Sequence, residues 1–298
     1  MITIGLDLGG TKILAAAVED GEVLDSVRVD TPQSGFEDVV DALVGTAEEL
    51  AARGFASDAI GIGSPGPLDK ERKKVIFSPN IAGLEDAPLV AALEERLGKP
   101  VVLENDANVA GYAEHLYGAA RELHSSVYVT LSTGIGGGLF LGREVIRGAH
   151  GVAGEIGHMT LMLGGPMGGD GHAGTLEALA AGRSMARDAS YAYSAEMDTR
   201  ELFARARKGE RKALGIVENA ALFTGIGLAN LVKVFDPEAF VLGGGLTEVG
   251  DYYLSRVQAA AEHYLEGYPV PPLRLAELGG EAGVIGAAAF AAAALEGR

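Results

Sequence analysis

The chain opens with ITIGLDLGG, KILAAAVED and EVLDSVRVD, apolar runs of strand length punctuated by Gly-Gly and by Asp20-Gly21. Runs of this kind broken at GG and DG predict a three-stranded meander joined by tight hairpins. GFEDVVDALVGTAEELAARG (35–54) then spaces Val, Leu and Ala at helical intervals, and AIGIGSPG (59–66) reads as a short buried strand ending in a turn. PLVAALEERLG (88–98) predicts a helix, PVVLENDAN (100–108) a strand running into a loop, and VAGYAEHLYGAA (109–120) another helix. The pattern then starts again. SSVYVTLSTGIGGGLFLGREVIRG (125–148) is strand, glycine-rich turn, strand, turn, strand, and Leu131-Ser132 stand to Gly134 as Leu6-Asp7 stand to Gly9. Two meanders, each followed by helices, predict a duplicated α/β unit with one copy per lobe.

Beyond the second meander the periodicity is mainly helical, through LEALAAGRSMARDASYAY, TRELFARARKG and KALGIVENAALFTGIGLANLVKVF. EAFVLGGGL (238–246) reads as a strand ending in three glycines, and DYYLSRVQAAAEHYLEG (251–267) and GVIGAAAFAAAALEG (283–297) as helices. The expected lobes are 1–115 and 116–298, with the last helix, about 283–297, placed to return to the first lobe.

Composition narrows the function. A chain of 298 residues can bury two cores. Its 48% hydrophobic content is spread out, and no uninterrupted apolar run approaches the roughly 20 residues of a membrane span. The first strand starts at once, without a basic segment ahead of it, so no signal peptide, no membrane partner and a cytoplasmic location are expected. The absence of cysteine excludes disulfides, thiolate catalysis and cysteine metal sites. A net charge of −17 argues against nucleic acid as a partner. An anionic ligand must then be held locally, by backbone N–H groups and a lysine.

DLGGTK (Asp7, Gly9, Gly10, Thr11, Lys12) has the parts of such a cradle: glycines for a sharp bend, a hydroxyl, one positive charge, and an aspartate at a strand end suited to water-mediated Mg²⁺. The second meander repeats the form at LSTGIGGG, with Thr133 and Gly134. No Walker loop is present, and GIGSPG (61–66) fits G-x-G-x-x-G only as a decoy, because Pro65 and Pro67 flank its last glycine and no helix follows. Gly243–Gly245 strip side chains from a strand end, either as a plain turn or to let a flat ligand approach the backbone. ENDAN (104–108) places Asp106 between amides at a strand end, where it can accept a hydroxyl proton or, with Asn108 as the other candidate, cap the following helix. EIGH sets Glu155 and His158 three residues apart. Glu177 follows the tract GGPMGGDGHAGTLE (164–177), as a ligand contact or a first-turn acid.

Taken in order and spacing, DLGGTK, IGSPGPLD, SPN, LENDAN, STGIGGG, GEIGH, LEALAAG and VLGGG resemble the ROK-family sugar kinases, most closely the bacterial ATP-dependent glucokinases, across essentially the whole chain. The resemblance implies the two-lobed actin-like ATPase (ribonuclease H-like) fold, with a cleft between lobes. It also implies phosphorylation of glucose at its 6-hydroxyl by Mg-ATP, with ATP and Mg²⁺ as cofactors. Carried over by position, Asp106 is the general base. Asn80, Asn105, Asp106, Glu155, His158 and Glu177 hold the sugar; Asp7, Gly9, Gly10, Thr11, Lys12, Thr133, Gly134 and Gly244 serve the nucleotide, with Asp7 reaching Mg²⁺ through water. Carboxylates and amides converging from several loops suit a polyol, and phosphoryl transfer asks chiefly for positioning and charge neutralisation. Family likeness further implies a homodimer or homotetramer.

The glycine tract departs from the family. There it carries C-x-C-G-x-x-G-C-L-E, whose three cysteines, with the His of GH, bind a structural zinc. Here those three positions are Gly168, Asp170 and Thr175, leaving His158 alone of the four ligands. No structural zinc is expected, the weak alternative being a set of His158, Asp170 and His172. A metal-free tract should be ordered by neighbouring protein and by bound sugar. Two other functions stay open: a kinase for mannose, fructose, N-acetylmannosamine or an allose-type hexose, and a non-enzymatic sugar sensor. The second is disfavoured because no helix-turn-helix precedes the first strand.

Overall fold

The computed structural model of the protein describes every residue except Pro79, Asp170 and Arg298. The first meander is β1 (Ile2–Leu8), β2 (Lys12–Glu19) and β3 (Glu22–Asp30), followed by α1 (Phe36–Ala52) and β4 (Ile60–Ser64). Two short strands not predicted from the sequence, β5 (Val75–Phe77) and β6 (Glu85–Ala87), pair with each other. Then come α2 (Leu89–Leu97), β7 (Val101–Asn105) and α3 (Asp106–Leu116). The second meander is β8 (Ser125–Leu131), β9 (Ile135–Leu141) and β10 (Glu144–Val145). It leads to α4 (Leu176–Ala180), α5 (Gly182–Tyr193), α6 (Thr199–Arg207) and α7 (Arg211–Phe235). β11 (Ala239–Gly243), α8 (Asp251–Tyr264), β12 (Leu273–Leu275) and α9 (Ala282–Glu296) complete the chain.

The duplication extends to sheet topology. One sheet has the order β3-β2-β1-β4-β7 and the other β10-β9-β8-β11-β12, so each sets a meander beside two further strands. Those further strands run parallel in both, β1 to β4 to β7 and β8 to β11 to β12. The chain forms two compact units, Met1–Glu122 with Gly138–Ala153 and Glu277–Arg298, and Leu123–Gly137 with Gly154–Ala276. The first thus includes α9 and the segment 138–153, the latter assigned to the second lobe in the sequence reading.

In the first unit the period of two along β1 and β4 decides which helices cover which face. Ile4, Leu6, Leu8, Ile60 and Ile62 point to one side and join Leu43, Leu50, Leu89 and Leu93 of α1 and α2 in the larger core. The alternate positions Gly5 and Gly61 face α9, where an added Cβ would stand 2.0 Å from the Val284 carbonyl oxygen and 1.7 Å from that of Ala287. The alanine-rich last helix therefore lies with its backbone against the sheet, and its small side chains make a tight core.

In the second unit α7 packs against α4, α5, α6 and α8. Among the described residues it is the one helix long and apolar enough to cross a membrane, yet Val217, Ala221, Leu228 and Val232 are buried, as in a core helix. The helical run LEALAAGRSMARDASYAY is broken in two. Ala181 is extended, and the Gly182 amide donates to the Ser132 carbonyl at 2.8 Å, tying the start of α5 to the second glycine-rich turn.

Candidate active site

The Gly9–Lys12 turn closes with Gly9 N–H donating to the Lys12 carbonyl at 3.0 Å. Its other carbonyls are turned towards the segment after β3: Thr31 Oγ1 donates to Gly9 O at 2.6 Å, Gln33 Nε2 to Gly10 O at 3.0 Å, and Thr31 N to Thr11 O at 3.0 Å. Thr31 and Gln33 were missed in the sequence reading, since nothing local marks them as partners of residues 9 to 11. Asp7 precedes this turn in β1, and a Cβ on Gly283 at the start of α9 would meet its Cγ at 2.8 Å. Burial pushes the Asp7 carboxyl above the ordinary range, with the Lys12 charge drawing it part of the way back.

Asn80 adjoins the same turn, its Cβ 3.1 Å from where a Cβ on Gly10 would lie. Gly66, with φ +89, sits against the Phe77 carbonyl, and its own carbonyl accepts from Asn105 Nδ2 at 3.4 Å. The first glycine-rich turn, the SPN segment and ENDAN are thereby linked within the first unit. Asn105, rather than Asp106 or Asn108, is the N-cap of α3: its Oδ1 accepts from Ala107 N at 2.9 Å and Asn108 N at 3.3 Å. This corrects the expected cap, and the reason is positional. A cap must lie just before the helix in extended conformation, and β7 holds Asn105 there, at φ −66 and ψ 145. Asp106 is the first helical residue, exposed, with Oδ1 accepting from Ala107 N at 2.8 Å.

Glu104 is the residue whose importance sequence reasoning missed. It is 1% exposed, yet its carboxylate lies 2.7 Å from Arg72 and 2.7 Å from Arg147. Only the tertiary fold brings residues 72, 104 and 147 together.

In the second unit the Ser132–Gly134 turn closes through Ser132 N donating to Gly134 O at 3.0 Å. Glu177 is built into this turn. Its Oε2 accepts from Ile135 N at 3.0 Å, and its Oε1 pairs with Arg183 at 2.8 Å. A Cβ on Gly134 would stand 2.5 Å from the same Oε2. Gly157 packs as tightly, its absent Cβ 2.0 Å from the Ile135 carbonyl, so the short 3₁₀ turn Ile156–His158 rests on this loop. His158 Nε2 and Glu155 Oε2 are 3.7 Å apart and both side chains are exposed.

Gly243 and Gly244 are packed closely against β8. A Cβ on Gly243 would lie 2.4 Å from the Tyr128 hydroxyl, and one on Gly244, at φ +88, 2.5 Å from the Leu131 carbonyl. The next glycine, Gly245, lines a cavity of about 530 Å³ with Ser132, Thr133, Arg183, Arg200 and Phe203. Its volume is in the range of small-molecule pockets.

Among the described residues, two of the three cysteine-equivalent positions of the glycine tract supply no thiolate to a zinc site. The Thr175 hydroxyl caps α4, accepting from Ala178 N at 3.2 Å, and Gly168 offers only its backbone, its amide donating to His172 O at 2.8 Å. Asp170, needed for the alternative set with His158 and His172, lies outside the described residues. The tract is bonded both within itself and to the neighbouring 159–161 segment. Leu161 N and Gly174 N donate to Gly174 O and Pro166 O, each at 2.8 Å, and Leu176 N to Met159 O at 2.9 Å. Gly174, at φ +70, is required where a Cβ would stand 1.7 Å from Met162 O.

The family profile described as "ROK family" matches residues 3–294. Among solved structures, a ROK hexokinase from Thermus thermophilus is 49% identical with a TM-score of 0.94, over 100% of both chains. A ROK family glucokinase from Streptomyces griseus, determined with glucose and AMPPNP, is 35% identical with a TM-score of 0.85, over 98% of this chain and 100% of that one. A glucokinase from Streptomyces coelicolor is 37% identical over 97% of each chain. With the duplicated sheets and both glycine-rich turns in place, the chain belongs to the ROK family and has its two-lobed actin-like ATPase fold.

Proposed function

We propose that the protein phosphorylates glucose at its 6-hydroxyl with ATP. The observation that supports this reading is the proximity, in the first unit, of the Gly9–Lys12 turn to Asn80 and the bond from Asn105, beside the exposed carboxylate Asp106, to Gly66. A phosphate cradle beside amides and a carboxylate is the set that a hydroxyl-to-phosphate transfer requires. The glucokinase names of relatives at 35% and 37% identity support glucose as the acceptor.

In this reading Asp106 receives the proton of the 6-hydroxyl as its oxygen attacks the γ-phosphorus and ADP leaves. Asn80, Asn105, Glu155 and His158 hold sugar hydroxyls. Glu177, with both oxygens engaged by Ile135 N and Arg183, serves mainly by fixing the second turn. Gly9 to Lys12 and Thr133-Gly134 take the phosphates, and the cavity at Thr133, Phe203 and Gly245 takes the nucleoside. Asp7 is the residue that fits Mg²⁺, being a carboxylate at the cradle whose burial disfavours its charge until a cation compensates it. Magnesium, when bound, neutralises phosphate charge.

A coupled ADP-release assay over glucose, mannose, fructose and N-acetylmannosamine, with ATP and polyphosphate compared as donors, tests the reading. Glucose with ATP should give the highest kcat/KM; no turnover with any hexose would refute it. Asp106→Asn should lower kcat by about 10³-fold or more, as expected for loss of a general base in concert with positioning, while leaving the fold intact. Near wild-type turnover would remove the base from Asp106.

A further inference from the structure

We propose that Glu104, clamped between Arg72 and Arg147, is the positioning residue that fixes the pose of Asp106, an inference that rests on the reading of Asp106 as general base. Glu104 lies in β7, paired with Gly63 of β4, two residues before Asp106. Its Oε1 accepts from Asn105 N at 2.9 Å and from Asn108 Nδ2 at 3.0 Å. One buried carboxylate therefore grips the residue before Asp106 and the first turn of α3 after it. Asn105 in turn caps Ala107 and Asn108. The backbone that carries Asp106 is pinned on both sides.

A buried carboxylate of this kind is a poor way to gain stability. Desolvating it with its partners opposes folding, and well-packed apolar side chains of similar volume serve as well or better. The surroundings are nevertheless built to keep it. Arg72 Nη1 and Arg147 Nε each reach the carboxylate at 2.7 Å, on opposite oxygens. Arg72 is delivered from a left-handed backbone, φ +52, a conformation unfavourable for a residue with a side chain. The turn that enforces it is held by Asp69, whose Oδ1 accepts from Lys73 N at 2.6 Å and Lys74 N at 2.7 Å. Arg147 is steadied by the Phe290 ring, 5.4 Å from its guanidinium carbon. A strained turn, two cations and an aromatic face converge on one side chain that adjoins the proposed base. Precision at Asp106 is the property these costs secure, because misplacing a reacting group by about 1 Å can lower a rate by about 10²-fold.

The test is a double-mutant cycle. Glu104→Gln retains the size and one acceptor oxygen but removes the charge on which both arginines converge. Its kcat should fall at least about tenfold, with KM for MgATP changed less than about twofold. Combined with Asp106→Asn, it should cause no further loss, since a residue acting through Asp106 has nothing left to position. Additive losses in the double variant, or an unchanged kcat in Glu104→Gln, would overturn the proposal. Arg147→Met and Arg147→Lys cover the case in which Glu104→Gln fails to fold: Met should lower kcat in the same manner and Lys should restore part of it, whereas equal activity in both would count against the clamp. Asp106→Asn alone, if active, refutes the base assignment, and a loss from Glu104→Gln that then persists in the double variant overturns the positioning role as well.

Discussion

At the scale of single residues, the candidate site is arranged around groups whose charge the fold controls. Burial raises the Asp7 carboxyl above the ordinary range, with the Lys12 charge opposing it, whereas Glu104 is paired with two guanidinium groups. A different device appears at Glu238, whose carboxylate accepts from the amides of Ser125 at 2.7 Å and His124 at 2.6 Å. Those amides, with the Ser125 contact the larger cause, hold its carboxyl below the ordinary range. Because its folded value is the lower one, this contact stabilises the protein above the ordinary carboxylate range and is lost as pH falls through that range to the depressed value. Glu238→Gln should therefore lower Tm at neutral pH and flatten its fall as pH drops through and below the ordinary carboxylate range, as followed by circular dichroism. Parallel melting curves for both proteins across that window would show that the carboxylate is not the cause.

At the scale of elements, close approach is the recurring requirement. α9 can lie on the sheet of the first unit only because β1 and β4 offer Gly5 and Gly61, and because its own facing positions are small. Gly61→Ala would put a Cβ against the Ala287 carbonyl, a backbone atom that cannot swing aside, and should cost on the order of 3 kcal/mol or more in a denaturant titration. A loss under about 1 kcal/mol would mean that the helix can shift. Before folding, a tract such as GGPMGGDGHAGTLE has more conformational freedom than most. Cross-bonding to the 159–162 segment supplies the order: the bridges Thr160 to Thr175 and Met167 to Ala173 make it a narrow hairpin. Hydrogen exchange should find the amides of Leu161, Gly168 and Gly174 protected without sugar, with glucose adding little there. Rapid exchange of all three in the absence of glucose would restore the view of a ligand-ordered loop.

For the whole molecule, the same topology used twice gives each unit its own glycine-rich turn after its first strand, in the β1–β2 and β8–β9 connections. The turns are finished differently. The first is backed by Thr31 and Gln33, and the second by Glu177, with Gly182 and Arg183 donating to Ser132 O and Thr133 O. The resemblance implies cysteines at positions 168, 170 and 175 for a structural zinc, and this chain has none, so the intact protein should carry no stoichiometric zinc when purified without added metal. Its Tm should change by less than about 2 °C on treatment with a chelator, whereas loss of a structural zinc would remove far more stability. One zinc per chain by elemental analysis would point instead to a set drawn from His158, Asp170 and His172.

Legible along the chain were the strands of both meanders, β4, β7 and β11, most helices, the duplication and the two glycine-rich turns. Those features are local: they arise from a hydrophobic period of two or 3.6 and from glycines at fixed offsets, which neighbouring residues alone can set. The family motifs likewise marked Asp106 as a candidate. The tertiary structure decided what no window along the chain contains. It chose Asn105 as the cap, gave Gly243 and Gly244 to packing against β8, and turned Glu177 towards Ile135 and Arg183. It also gathered Arg72 and Arg147 on Glu104. Such pairings depend on which surfaces meet once the strands are ordered into sheets, and the long-range burial that brings them together leaves no periodic trace in the chain.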